Sequence, residues 1–473
     1  MAQQSENKLG LLAMTALVIG AIVGSGIFSL PQNMAEGSGA GAIIIAWIIT
    51  FFGMLTLAKI FQWLSLNRPD INNGVYGYVR EGFGDYLGFN AAWGYWISIW
   101  VGNVGYLVVM YSALGSFHVF EFFGDGSTFP AMACGIITLW VLHFFVLRGV
   151  KSATTLNIIV TIAKIIPILL FILLVALAFK IKTFQIDFWG SPELGSVTSQ
   201  VKNTMLYTVW IFLGIECATV YASRAKNMQI VSRATILGFL ITITLLISVS
   251  LLSLGVVPQA ELAGKKNPSM AQVLEFTVGP WGGVLINIGL IISVGGALLA
   301  WTMISSEMLF LAASGSNNTA PSIFGKLNNK QIPANAMWLT NSLISLFLVI
   351  NYVNDAGYNI LIQLASSMAL IPYLFCAAFG FKCAITNKKN IVYLLVLSFV
   401  GSIYGLWLIY AGGLDYLLLS LLLYSCGLPF FFYSRKERGL SFLINPIEKL
   451  LAAVVVGGAI IALFLIKTGN LSL

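Results

Sequence analysis

Charge is scarce in this sequence. Charged residues make up 9% of its 473 positions and hydrophobic residues 58%, whereas an ordinary soluble domain has about 25% charged residues. Water is therefore not the main solvent of the folded chain, and an all-α integral membrane protein is predicted.

Histidine is also rare, and cysteine follows no pattern. Only His118 and His143 are present, which excludes a multi-histidine metal centre. The five cysteines lie in apolar segments without CxxC spacing, so they indicate neither a disulfide framework nor a metal site. No HExxH sequence and no nucleophile motif occurs. The sequence therefore predicts no enzyme, no metal and no cofactor.

Apolar runs of about 20 residues, the length that crosses a hydrocarbon core, recur along the whole chain. The first, from Leu11 to Leu30, is too long for a signal-peptide core and lacks a small-residue cleavage site, so it is predicted to be retained. Thirteen spans are predicted, near residues 10–31, 40–66, 87–117, 130–148, 154–179, 203–222, 232–257, 281–313, 335–353, 357–381, 391–410, 413–433 and 448–467.

The net charge of +8 follows the topology of these spans. With a cytoplasmic N-terminus, seventeen Lys and Arg residues fall on the cytoplasmic side and six outside. The positive-inside rule predicts such a bias. The basic balance therefore indicates a multi-pass membrane protein with a cytoplasmic N-terminus, whose partner is the lipid bilayer and not nucleic acid.

Two predicted spans are interrupted by glycine. The first contains Gly20, Gly24 and Gly26 in mid-membrane, and the sixth contains Gly214 two residues before Glu216. Irregular backbone at that depth occurs only where it is buried in protein or lines a cavity. The two breaks lie five helices apart, as expected for two inverted five-helix repeats with a binding site at discontinuous helices 1 and 6.

Four ionisable side chains lie inside predicted spans, where a charge costs roughly 2.5–3.5 kcal/mol. Lys59 and Glu307 lie where snorkelling or local pairing explains them. Glu216 adjoins the second break, and Lys164 precedes Pro167 in mid-span, so these two are candidates for function. The stretch 67–86 combines turn formers with paired charges and fits either a solvated loop or a short amphipathic element under the helices.

Four segments carry a resemblance to the amino acid–polyamine–organocation transporters. They are GAIVGSGIFSLP (20–31), YWISIWVGN (95–103), VKNTMLYTVWIFLGIECATVYASRAK (201–226) and AWTMISSE (300–307). Within that superfamily the chain resembles the bacterial basic amino-acid antiporters, and 201–226 looks especially like arginine/ornithine antiporters. The resemblance implies a transport core over residues 1–381. Peripheral helices 11 and 12 and a thirteenth segment would then occupy residues 382–473.

The resemblance also implies a binding site. The substrate carboxylate falls on the amides of Ser25 and Gly26, at a helix N-terminus that favours an anion. The substrate ammonium falls on the carbonyls of Ile22, Trp210 and Leu213. The side-chain pocket is implied by the remaining matched positions, which are Tyr95, Ser98, Ile99, Asn103, Tyr106 and Trp301, with Trp301 stacking on the cation.

Coupling residues are implied in the same way. Glu216 holds the proton-sensing position of the arginine/agmatine members, and Lys164 looks like the fifth-helix lysine that replaces sodium in sodium-independent relatives. Ser98, Ile99 and Tyr106 depart from the arginine/agmatine pattern, which leaves the substrate pair open.

The predicted function is exchange of cationic amino acids by alternating access, with arginine and ornithine as the leading pair. Two alternatives remain, namely an arginine/agmatine or lysine/cadaverine exchanger for acid resistance, and a proton-coupled permease. A channel or a membrane receptor is the competing class, although the chain has no hydrophilic segment long enough for a signalling domain. A homodimer is one arrangement that the sequence leaves open.

Overall fold

The computed structural model describes residues 9–71, 73–148, 153–216, 225–315, 318–354, 357–386, 391–443 and 445–471, and these residues are mostly helical. Three 3₁₀ turns lie at His118–Phe123, Pro192–Leu194 and Ser322–Gly325. The α-helices are α1 (Leu11–Ile22), α2 (Gly26–Ala35), α3 (Ala40–Asn67), α4 (Gly74–Phe83), α5 (Asp85–Gly115), α6 (Phe129–Leu147), α7 (Ala153–Ala178), α8 (Ile181–Phe184), α9 (Val197–Phe212), α10 (Met228–Leu254), α11 (Gln259–Ala263), α12 (Ser269–Val278), α13 (Pro280–Ala313), α14 (Ala334–Asn354), α15 (Gly357–Thr386), α16 (Ile391–Ser425), α17 (Leu428–Glu437) and α18 (Pro446–Lys467).

The membrane-spanning helices agree with the predicted apolar runs. Within the described part of the chain, ten helices are long and apolar enough to cross a membrane, and α1 with α2 adds an eleventh as a pair bent by 47°. The predicted spans at 391–410 and 413–433 meet at a kink within α16, at Gly413, where φ is 79°. The second of them ends in α17. The predicted thirteenth span is the 22-residue helix α18. The all-α membrane architecture is confirmed, while the inverted repeat stays a prediction.

The chain divides into two compact units. The first unit holds the described parts of Met1–Asn67, Tyr106–Met132 and Ser152–Leu298. Its spans are joined by polar contacts in an apolar interior, since Trp47 on α3 donates from Nε1 to Ser250 Oγ on α10 at 2.9 Å. An added Cβ at Gly238 on α10 would lie 2.5 Å from Val18, so a small residue brings α10 close to α1.

The second unit holds the described parts of Arg68–Gly105, Ala133–Lys151 and Leu299–Leu473. Within it α18 packs on α16, where an added Cβ at Gly458 would overlap Leu421. Tyr424 of α16 donates from its hydroxyl to Met368 O of α15 at 3.0 Å, and both residues are buried. The C-terminal helices are therefore packed on α15. The predicted boundary of the transport core at residue 381 stays a prediction.

The stretch 67–86 contains the helix α4, in agreement with the amphipathic alternative. Val75, Tyr76, Tyr78 and Val79 are buried, and the Tyr78 ring stacks on Phe379 of α15 with centroids 6.2 Å apart. Burial raises the pKa of Tyr78 above its usual value, so its hydroxyl stays neutral. One face of α4 is therefore anchored on α15, within the second unit.

Asp85, the first residue of α5, is the centre of an ion-pair network in the second unit. Its Oδ1 accepts from Arg80 Nε at 2.9 Å, and its Oδ2 accepts from Arg435 Nη1 at 2.7 Å and from Arg438 Nη2 at 3.3 Å. The Arg435 side chain is only 2% exposed. One carboxylate thus holds the end of α4, the start of α5 and the α17 region together.

We expect Asp85→Asn to lower the free energy of unfolding by about 2–4 kcal/mol, because it leaves the buried Arg435 guanidinium without its anion. The matched control is Asp70→Asn, since Asp70 also pairs with an arginine but is 58% exposed. An exposed pair contributes about 0–1 kcal/mol. Thermal unfolding of the purified protein in detergent measures both variants, and equal shifts would contradict the role of Asp85.

Candidate functional site

The first predicted break lies between α1 and α2. The helix α1 ends at Ile22, and Val23 leaves the helical conformation with φ −79° and ψ 86°. The helix α2 begins at Gly26 with Ser25 as its N-cap residue, and both residues are buried. The first amides of a helix have no carbonyl of their own helix to bind. The break therefore presents a helix N-terminus inside the protein, next to the C-terminal carbonyls of α1.

Lys164 of α7 lies against the carbonyl side of this break. Its ammonium donates to Gly20 O at 2.8 Å and also to Val23 O, and the residue is 1% exposed. From α13, the Ser293 hydroxyl donates to Gly24 O at 3.1 Å. A buried cation thus satisfies carbonyls that the end of α1 leaves without helical partners.

Two aromatic side chains enclose the break. Tyr106 and Trp210 are buried and their ring centroids are 5.4 Å apart. An added Cβ at Gly24 would overlap the Tyr106 hydroxyl, and one at Gly26 would lie 3.1 Å from Trp210 Cδ1. Gly24 thus allows the Tyr106 side chain, and Gly26 the Ile211 and Trp210 side chains, to approach the backbone closely. The first unit therefore brings together Ser25, the two glycines and these two aromatic residues.

The second predicted break follows α9. This helix ends at Phe212, Leu213 is non-helical with ψ 125°, and Gly214 has φ 106°, a region that favours glycine. Glu216 is 5% exposed. The predicted span continued to residue 222, and its residues 217–222 lie outside the described part of the chain.

Two of the carbonyls predicted to bind an ammonium already accept one backbone hydrogen bond each. Ile22 O accepts from Gly24 N at 3.0 Å, and Trp210 O accepts from Leu213 N at 3.3 Å. A carbonyl oxygen has two lone pairs, so each retains a second acceptor position. Leu213, the third predicted residue, is buried in the same turn.

The second unit holds the remaining predicted side chains. Asn103 is fully buried, and neither its Oδ1 nor its Nδ2 has a hydrogen-bond partner among the described residues. Leaving such an amide unsatisfied costs about 1–3 kcal/mol, which makes it a candidate contact for a bound polar group. Ser98 is different, because its hydroxyl donates to Ala365 O of α15 at 2.6 Å.

Tyr95, Ile99 and Trp301 are also buried in the second unit. The Tyr95 ring lies 6.4 Å from that of Tyr373, measured between centroids. No described contact assigns a substrate role to these three, so their roles stay predictions from the resemblance.

The four intramembrane ionisable residues differ in burial. Lys164 and Glu216 are buried, whereas Lys59 is half-buried and Glu307 is exposed. Sequence reasoning missed Ser293, because a single serine in a long apolar run carries no distinguishing pattern.

Comparisons with known proteins give the following similarities. The amino acid permease family profile matches residues 9–466. The chain is 47% identical to the arginine/ornithine antiporter of Pseudomonas aeruginosa, with all of both chains covered. It is 43% identical to the arginine/agmatine antiporter of Chlamydia pneumoniae, over 99% of each chain. It is 42% identical to the arginine/agmatine antiporter of Chlamydia caviae, again over 99% of each.

Proposed function

The chain belongs to the amino acid permease family, and from that premise we propose that it exchanges cationic amino acids across a membrane, with arginine and ornithine as the leading pair. The relatives named above are antiporters of arginine with ornithine or with agmatine. The resemblance noted in the sequence motifs is confirmed by these matches.

The observation that carries the proposal is the broken helix α1–α2 with Lys164 at its carbonyl side. An amino-acid substrate has a carboxylate and an ammonium on one carbon atom. The carboxylate would bind at the N-terminus of α2, on the amides of Ser25 and Gly26, where the helix dipole stabilises an anion. The ammonium would bind the second lone pairs of the Ile22 and Trp210 carbonyls, together with the Leu213 carbonyl.

The cationic side chain of the substrate is assigned by the resemblance. Trp301 would stack on it, because a cation over an aromatic face gains about 0.5–2 kcal/mol. Asn103 would donate a hydrogen bond to the polar end of the substrate or accept one from it. This role is supported because the buried Asn103 amide has no hydrogen-bond partner among the described residues. Ile99, Tyr95, Ser98 and Tyr106 would form the remaining walls.

Obligatory exchange follows from the same groups. In an empty site the Ile22 and Trp210 carbonyls keep one hydrogen bond each, and the contacts that a substrate adds are missing. In a medium of low polarity the loss of such polar contacts costs free energy. Reorientation of the empty transporter is therefore slow, whereas binding of either substrate supplies these hydrogen bonds. By the resemblance, the Lys164 side chain takes the place of a sodium ion at the carbonyls of α1, so the proposed cycle needs no sodium ion. Glu216 is proposed as a proton-sensing residue that gates transport.

A second candidate function is exchange of arginine for agmatine, which the names of two relatives favour. Agmatine has lost the carboxylate of arginine, so it cannot use the amides of Ser25 and Gly26 as arginine does. Arginine and ornithine carry the same net charge, and their exchange is electroneutral. Exchange of arginine for agmatine moves net charge, and its rate would depend on membrane potential.

Counterflow into proteoliposomes tests the proposal. We expect internal ornithine to accelerate uptake of labelled arginine at least about tenfold over empty vesicles, with internal leucine as the control. Uptake into empty vesicles at the same rate would contradict exchange. An imposed membrane potential distinguishes the two pairs, since it should change the rate with internal agmatine only. A preference for agmatine over ornithine would favour the second candidate.

The proposal also includes the orientation of the chain in the membrane and the kind of membrane in which it lies. The excess of Lys and Arg at one end of the spans supports a cytoplasmic N-terminus, and the bacterial organisms of the relatives support a bacterial cytoplasmic membrane. The role of a transporter, and not of an enzyme, is proposed on the same family ground.

A further inference from the structure

A cavity of about 500 Å³ lies outside the proposed substrate site, in the second unit. It is formed by the C-terminal part of α15, by α16 and by Phe83 at the end of α4. Its lining residues are Phe83, Ala378, Phe381, Lys382, Ile385, Thr386, Phe399 and Ser402. The volume is within the range of small-molecule sites, roughly 300–1,000 Å³.

The walls of this cavity are apolar and open to the surroundings of the protein. Ile385 is 62% exposed and Phe399 is 56% exposed. Both belong to helices long enough to cross a membrane, and exposed apolar side chains on such helices suit contact with lipid. An apolar depression on such a face accommodates an acyl chain without the cost of displacing ordered water.

Lys382 brings a positive charge to these apolar walls. Lys382 donates from Nζ to Gly82 O at 2.7 Å, and the ammonium lies 6.0 Å from the Phe83 ring centroid. An ammonium has three N–H donors, and this contact uses one of them. Among the described residues that line the cavity there is no carboxylate. The charge therefore suits an anion and opposes a second cation, which distinguishes this site from the one proposed for the substrate.

The hydroxyls of the cavity do not supply further donors. Thr386 donates to Lys382 O at 3.0 Å, and Ser402 donates to Ser398 O at 2.7 Å. Selectivity for an anion therefore depends on Lys382. The apolar walls bind any acyl chain, whatever its headgroup.

We propose that this cavity binds an anionic phospholipid, with its phosphate on Lys382 and an acyl chain along Phe381, Ile385 and Phe399. Basic residues between helices at the cytoplasmic side recognise anionic headgroups in this way. Lys382 lies on the cytoplasmic side in the orientation proposed above, and on that point the inference rests on the proposed function. A bound lipid would also hold Phe83, and so the end of α4, against α15.

Lipid retention by the purified, delipidated protein tests this proposal independently of transport. Phosphatidylglycerol and phosphatidylcholine with identical acyl chains are titrated, and bound lipid is counted by native mass spectrometry. We expect the wild-type protein to bind phosphatidylglycerol about fivefold more tightly, the ratio expected for one lysine near an anionic surface. Equal affinities for the two lipids would overturn the proposal.

Three variants locate the site. Lys382→Gln should abolish the preference, whereas Lys326→Gln should keep it, because Lys326 does not line the cavity. Ala378→Phe should fill the cavity and lower the binding affinity for both lipids at least about threefold. A preference that survives in Lys382→Gln contradicts the assignment of the phosphate. If Lys382→Gln does not fold, Ala378→Phe still tests the site. Unchanged binding of both lipids by Ala378→Phe would refute a lipid site in this cavity.

A further experiment distinguishes a lipid from free phosphate as the ligand of this cavity. Excess inorganic phosphate should leave phosphatidylglycerol binding unchanged, because the acyl chain provides most of the contact. Full displacement by inorganic phosphate would assign the site to a soluble anion and would refute a lipid site.

Discussion

Gly24→Ala should lower the rate of arginine/ornithine exchange by roughly 5- to 150-fold. The added methyl group would overlap the Tyr106 hydroxyl at the break between α1 and α2, and overpacking of a well-packed site costs about 1–3 kcal/mol. The cost is imposed on the backbone that we propose to bind the substrate, so transport should fall more than stability. Counterflow in proteoliposomes and thermal unfolding in detergent measure the two effects.

A second substitution tests the cause of that loss. In Tyr106→Phe the hydroxyl is gone, and the nearest ring atom to the added methyl is Cζ at 3.1 Å. Gly24→Ala combined with Tyr106→Phe should therefore recover much of the rate, with a coupling free energy of about 1–2 kcal/mol. Gly10→Ala is the control, because nothing lies within 4 Å of its added methyl group. Strictly additive effects of the two substitutions would show that the contact is not the cause.

Lys164→Met should abolish most transport while keeping the length of the side chain. The carbonyls of Gly20 and Val23 lose a donor in a fully buried position. Each unsatisfied buried group costs about 1–3 kcal/mol. The two carbonyls together give about 2–6 kcal/mol, and the lower end of that range already corresponds to a fall in exchange of roughly 30-fold. Initial rates of ornithine-driven arginine uptake measure this.

The matched control for Lys164→Met is Lys59→Met. Lys59 also lies inside a spanning helix, but it is half-buried, and its substitution should change exchange less than about threefold. Similar losses in both variants would mean that any intramembrane lysine matters and would remove the special role of Lys164. A sodium gradient gives an independent check, since wild-type exchange that required sodium would contradict a lysine acting in place of that ion.

Much of the fold could be predicted from hydropathy alone. Spans such as 40–66 and 335–353 match α3 (Ala40–Asn67) and α14 (Ala334–Asn354) within a few residues. Their ends coincide with polar turns, because a backbone inside hydrocarbon must satisfy its own hydrogen bonds and a helix does so locally. The same reasoning placed α18, whose 22 residues match the thirteenth predicted run.

Only part of the candidate site could be predicted from the sequence. Gly24 and Gly214 were recognised as breaks because glycine weakens a helix and tolerates unusual backbone angles. The contact between Tyr106 and Gly24, the Ser293 bond to Gly24 O and the Asp85 network were not predicted. Each of these joins residues more than fifty positions apart in the chain, apart from the Arg80–Asp85 pair, and no local pattern encodes such a pairing.

The broken helix at Gly24-Ser25-Gly26 shows most clearly which features the sequence determines and which features depend on the tertiary structure. The sequence by itself determined the membrane class, the spans and the positions of the two breaks, because hydrophobic length and glycine content act locally. Only the tertiary structure decided which groups meet at a break. There Lys164 supplies the donor to the carbonyls of α1, and Tyr106 with Trp210 encloses the backbone, because packing brings together side chains that are distant in sequence.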